Sequence, residues 1–276
     1  MKFHTCVIAV ILIFMSYQGH ADLLITPTRI VFSERDRVQE VILVNTASEP
    51  RTYALAWLEM KQLDNLAYAK LDDNEAKAFA RASDFIRFTP RRLTLQPGEN
   101  QRIKLMLRRT SNSQDKDYRS HLKFTVIPNA VMQDDSNDES TNANGTQIKL
   151  NLFLNYSIPV MIKNDSSAQN IAISNLAFRK NIDSSTNATL TFVLNKTSPG
   201  FTFGDITLLF KAEGGSEFVP VGYTNNVSVY HESNLVKADV VWTEPVAIQA
   251  GQLKIVYKGK RESVDTLYVE ASLQIK

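Results

Sequence analysis

The stretch that most constrains this chain runs from Ile148 to Ile162, IKLNLFLNYSIPVMI. Ile148, Leu150, Leu152, Leu154 and Tyr156 alternate there with Lys149, Asn151, Phe153, Asn155 and Ser157. Successive side chains of a pleated strand point to opposite faces, so this spacing predicts an apolar ridge along one face. The preceding segment, Met132 to Gln147 (MQDDSNDESTNANGTQ), is too polar and acidic to bury a core and is expected to be mobile in the free protein. Two readings of the ridge stand side by side. It is an ordinary sheet strand lining its own core, or it is a strand with an open edge offered to another chain.

The rest of the text is written in short alternating runs with turn signals between them, which points to an all-β chain. Leu23 to Phe32 reads as a first strand interrupted at Pro27, a residue that sheets tolerate mainly at edges and bulges. Arg37 to Asn45 follows, then Thr52 to Met60, whose two apolar faces predict a central strand with Trp57 as a core anchor. Lys61 to Asp84 breaks the rhythm, and within it Asn74 to Ala82 has helix formers behind an asparagine able to cap them. Phe85 to Phe88, Arg92 to Leu95, Arg102 to Leu107 and His121 to Ile127 complete the first half, with a type II turn expected at Gln96-Pro97-Gly98-Glu99. Beyond residue 170 the expected strands are Ile171 to Phe178, Ala188 to Asn195, Ile206 to Lys211, Phe218 to Tyr223, Val227 to His231, Lys237 to Thr243, Gln252 to Tyr257 and Leu267 to Ile275. Two sandwich domains of ordinary size account for this count: residues 22–163 and 171–276, joined by a polar linker at 164–170.

The N-terminus has the form of a secretory signal over residues 1–21. Lys2 and His4 precede the apolar run Val7 to Met15, and Gly19-His20-Ala21 offers small residues for cleavage after Ala21. An exported chain follows. Its single cysteine, Cys6, leaves with the signal, so neither a disulfide nor thiol chemistry is expected. The formal charge of +2 is spread without a basic stripe, which gives no footprint for nucleic acid.

Catalytic sets are missing from the text. After cleavage His121 and His231 are the histidines that stay, and neither has a partner at zinc-ligand spacing. No phosphate-cradling glycine motif occurs, so no nucleotide chemistry, metal or cofactor is expected. Asn144, Asn155, Asn164, Asn187, Asn195 and Asn226 begin glycosylation sequons that read as incidental.

The order of these pieces resembles the periplasmic chaperones of the chaperone-usher pathway, in a divergent, archaic-like branch. The blocks that carry the resemblance are PTRIVF at Pro27 to Phe32, ALAWLE at Ala54 to Glu59, FTPRRLTLQPGENQRIKL at Phe88 to Leu105 and YRSHLKFTVIP at Tyr118 to Pro128. The ridge strand before the linker completes them. Such a resemblance implies two immunoglobulin-like sandwiches set as a boomerang, located in the periplasm. It implies binding to fimbrial subunits whose own fold lacks a strand, and delivery to an outer-membrane usher without ATP. Ile148, Leu150, Leu152, Leu154 and Tyr156 would fill the subunit's groove, and self-association through the same strand is expected when no subunit is bound. The family also binds the subunit's C-terminal carboxylate with a basic pair. Arg29 falls at the arginine position, whereas Pro159 occupies the place of the lysine, which leaves Lys163 and Arg119 as substitutes. The alternatives are a secreted adhesin or structural sandwich protein, whose ridge would be internal, and a carbohydrate-active enzyme.

Overall fold

The computed structural model describes residues 22–108, 116–127, 154–164, 169–180 and 188–276. The expected signal, the acidic segment 132–147 and the ridge residues Ile148, Leu150 and Leu152 lie outside the described residues. What is described is all-β, built as two immunoglobulin-like sandwiches.

The first half contains β1 (Leu23–Thr26), β2 (Ile30–Phe32), β3 (Val38–Asn45), β4 (Arg51–Leu58), β5 (Met60–Gln62), β6 (Tyr68–Lys70), helix α1 (Asp73–Ala78), β7 (Ile86–Thr89), β8 (Arg92–Leu95), β9 (Asn100–Leu107), β10 (Tyr118–Ile127) and β11 (Asn155–Ile162). One sheet has the order β1-β3-β9-β7 and faces a second of order β2-β11-β10-β4-β8. Strict alternation supplies the core between them. Val41 and Leu43 of β3 and Ile103 and Leu105 of β9 meet Leu122 and Phe124 of β10 and Val160 of β11, all fully buried. The type II turn is present, with Gly98 at a φ of 75° and Glu99 N donating to Gln96 O over 3.0 Å.

Three expectations are corrected in this half. Leu23 to Phe32 is not one strand: the chain changes sheets at Pro27, so β1 joins β3 while β2 runs parallel to β11. The helix in the irregular segment starts earlier than expected. Its cap is Asp72, whose side chain accepts from Asn74 N and Glu75 N while Glu75 reaches back to Asp72 N, a capping box that outcompetes Asn74. Trp57 is only half-buried, its ring edge-on to Phe88 at 5.3 Å, because β8 covers β4 no further than Ala54.

The second half contains β12 (Ile171–Lys180), β13 (Ala188–Lys196), β14 (Thr202–Ala212), β15 (Val219–Val229), β16 (Leu235–Val241), β17 (Gly251–Gly259) and β18 (Leu267–Ile275). Sheets of order β12-β13-β16 and β15-β14-β17-β18 enclose Leu190, Leu208, Val240, Ile255 and the fully buried Trp242. The pair expected at Phe218 to Tyr223 and Val227 to His231 is a single bulged strand, β15. Asn226 sits in it at a φ of 60°, a left-handed residue that interrupts the alternation without ending the strand.

Candidate functional site

Among the described residues, β11 presents a stretch of unpaired sheet edge. Its β10 side is paired continuously from Asn155 opposite Thr125 to Ile162 opposite Tyr118. On the far side β2 pairs only with Val160, Met161 and Ile162. From Asn155 to Pro159 that edge has no described strand beside it. Unpaired main-chain groups at a sheet edge are a template for another strand. Of the ridge residues, Leu154 is half exposed, at 50%, just ahead of β11. Tyr156 instead is partly buried against the core of its own sandwich, in phase with Ile158 and Val160, because the opposing sheet already covers that position.

The open edge runs into a cavity of about 330 Å³ between the two sandwiches. Pro159 and Arg29 line it from the first sandwich. Phe203, Ser228, Tyr230 and Arg261 line it from the second. Arg29 stands in the short connection that brings the chain from β1 to β2, so the sheet change at Pro27 is what aims it here. It is 6% exposed. Its Nε donates to Glu262 Oε1 over 3.1 Å and its Nη1 to Ser228 Oγ over 3.3 Å. The guanidinium lies over the Phe203 ring at 4.1 Å and the Phe201 ring at 5.1 Å. Nη2 approaches Glu262 Oε1 to 3.0 Å but is too poorly aligned for a hydrogen bond, which leaves one buried donor unused.

Arg119 is placed differently. On β10, at 0% exposure, its Nη2 donates to Met60 O over 2.7 Å and makes a short ion pair with Glu232, and the guanidinium covers Tyr230 at 4.1 Å. His121, two residues along the same face, lies 3.2 Å from Arg119 Nη1 and edge-on to Tyr68 at 4.9 Å. Burial, reinforced by Arg119, holds the His121 imidazole down at about 3. His231 next to Glu232 is pushed down to about 4, again chiefly by burial. Both imidazoles are therefore neutral at ordinary pH. Lys163, the remaining candidate, is fixed through its backbone N to Phe32 O at 2.8 Å and is not among the cavity's walls.

The structure thus brings Arg29 and Pro159 to one cavity and sets Arg119 against Glu232 on a buried ion pair. The cation that joins Arg29 at the cavity is Arg261, from the turn Arg261–Ser263 before β18, held at a φ of 55°. Nothing in the sequence pattern singles it out; its signal is only a charged turn, KGKRES, ahead of the last strand. Among the described residues no cluster of His, Cys, Asp or Glu could hold a metal ion.

Compared with known proteins, the sequence matches no family profile and no curated protein sequence at a significant level. In three dimensions it is similar to the YadV chaperone at 14% identity, over 92% of this chain and 100% of that one, with a TM-score of 0.44. It is also similar to the CupB2 chaperone of Pseudomonas aeruginosa at 11% identity, over 91% and 98% of the two chains, with a TM-score of 0.42. A third similar structure is the CsuC–CsuE chaperone–tip adhesion subunit complex of the archaic Csu pili of Acinetobacter baumannii, at 13% identity, 92% and 98% coverage and a TM-score of 0.41.

Proposed function

We propose that the chain is a periplasmic, non-catalytic chaperone for fimbrial subunits, which lends them a strand and passes them to an outer-membrane usher. The observation that carries this reading is the continuity of the open β11 edge with the Arg29 cavity. An added strand that ends in a carboxylate there would lie in line with β2 and parallel to β11, with main-chain hydrogen bonds along Asn155 to Pro159. The carboxylate would take the unused Arg29 Nη2 donor in a charge-assisted bond, and Arg261 would supply the second cation in place of the lysine that Pro159 displaces. Arg119, already committed to Glu232, would hold the two sandwiches together instead. Ile148, Leu150, Leu152 and Leu154 would enter the subunit's groove. At roughly 1.5 to 3 kcal/mol for each fully buried apolar side chain, the gross gain reaches about 6 to 12 kcal/mol before ordering costs, enough for tight holding without ATP.

The experiment is coexpression of the chain with a fimbrial subunit in the periplasm, followed by native mass spectrometry and limited proteolysis of the recovered complex. The parent should give a one-to-one complex that protects the subunit, and Arg29→Ala should fold normally yet lose it. Full protection by Arg29→Ala would overturn the anchor. Failure of the parent to form any such complex would overturn the chaperone reading itself.

A further inference from the structure

The irregular segment after β4 holds a device of its own. β5 and β6 form a hairpin with only three paired positions, Met60 to Lys70, Lys61 to Ala69 and Gln62 to Tyr68. A hairpin this small is marginal by itself in water. It belongs by sequence to the first sandwich, where Arg119 holds Met60 O and His121 packs on Tyr68, but its other bonds run to the second. Gln62 Nε2 donates to Ser228 O over 2.8 Å while Tyr230 N donates to Gln62 Oε1 over 3.2 Å, so one buried amide imitates a strand partner for the end of β15. Gln62 N donates to Glu232 Oε1 over 3.1 Å. At the hairpin tip, Lys237 N donates to Asp64 O over 2.5 Å and Lys237 Nζ to Asp64 Oδ2 over 2.6 Å, on β16. The Tyr68 and Tyr230 hydroxyls meet at 3.1 Å, and Leu66 sits against the second core. β15 and β16 are the outermost strands of their two sheets on the same side of the second sandwich. The hairpin closes part of both edges at once.

We infer that the β5–β6 hairpin is an interdomain strap: it fixes the second sandwich against the first and makes the two unfold as one unit. The reach is specific. Gln62, Leu66 and Tyr68 are also walls of the Arg29 cavity, so the strap that sets the relation of the sandwiches also sets the width of the space between them. A plain surface loop would need neither a buried glutamine amide satisfied on both sides at the end of β15 nor a main-chain bond to β16.

The two tryptophans make the test direct, since Trp57 is in the first sandwich and Trp242 in the second. In a Trp57→Phe background, Trp242 fluorescence reports the second sandwich, while circular dichroism reports the whole chain. In urea the two signals of the parent should coincide. In Gln62→Ala/Asp64→Ala/Tyr68→Phe the Trp242 transition should fall by about 1 M urea and separate from the circular dichroism curve, which becomes biphasic. A second variant, with residues 61–69 replaced by a short glycine-serine turn, should widen the separation; if it fails to fold, the triple point variant still decides. Two separate transitions in the parent, or coincident transitions in the triple variant, would overturn the strap.

Discussion

Arg119→Met is the substitution that best separates a structural arginine from a ligand-binding one. The native guanidinium is fully buried, pairs with Glu232 across the interface of the sandwiches, donates to Met60 O over 2.7 Å and covers the Tyr230 ring at 4.1 Å. Methionine keeps much of the volume but strands the Glu232 carboxylate, whose side chain is 14% exposed, and leaves Met60 O without that donor. Removing one member of a buried ion pair costs about 3 to 5 kcal/mol, mostly the penalty of the charge left behind. With a urea slope of about 1 to 3 kcal/mol per molar, the midpoint should fall by about 2 M. Arg119→Lys should recover little, because a single ammonium cannot serve both the carboxylate and the carbonyl from one position. Glu232→Gln alone should cost a similar amount. The double variant Arg119→Met/Glu232→Gln should cost less than the sum of the singles by about 2 kcal/mol. The assay is equilibrium urea unfolding of the parent and the four variants by circular dichroism. A loss below about 1 kcal/mol for Arg119→Met, or strict additivity in the cycle, would refute the assignment and return Arg119 to the candidates for a carboxylate anchor.

Other expectations follow from the same geometry. His121 and His231 are held neutral in the fold at about 3 and about 4 against about 6.5 when unfolded, so the unfolded chain binds more protons between those values. Stability should be complete above pH 6.5 and fall by about 1.4 kcal/mol per histidine per pH unit toward pH 4, and His231→Gln should flatten the slope by one histidine's share, as read from urea midpoints across pH. Gly204→Ala should destabilise the second sandwich by about 1 to 3 kcal/mol, because a Cβ there would meet Lys258 O at 2.0 Å; an unchanged melting temperature would contradict this. Glu262→Gln should free Arg29 from its resident carboxylate and tighten the proposed subunit complex, measured by competition with the parent. Leu154→Arg should leave stability within about 0.5 kcal/mol, since the side chain is already half exposed, while weakening that complex.

What could be seen in the sequence was what local chemistry decides. Proline and glycine at 97 and 98 announce their turn, and the alternation in β9, β10 and β17 announces the cores. The misses share a physical origin in contacts far apart along the chain. Gln62 looks like a loop residue because its partners, Ser228 and Tyr230, are 166 and 168 positions away. Arg119 reads as a free cation because Glu232 is 113 positions away. Arg261 carries no pattern at all; only the approach of two sandwiches gives it a cavity to face. The single strand expected at Leu23 to Phe32, interrupted at Pro27, shows the opposite failure: the proline is visible, but which sheet each half joins depends on pairing with β3 and β11.

In the proposed complex, the step where β2 meets β11 would also act as a measuring stop. Pairing with β2 begins at Val160, and the residue before it, Pro159, has no N–H to give. A chain added along the free margin from Asn155 would therefore halt at a fixed point, with its last residue beside Arg29. Shifting such a strand by one residue would turn every side chain to the wrong face. A blunt end of this kind reads length rather than composition, and would let one protein accept strands of differing sequence while rejecting those that finish too early or too late.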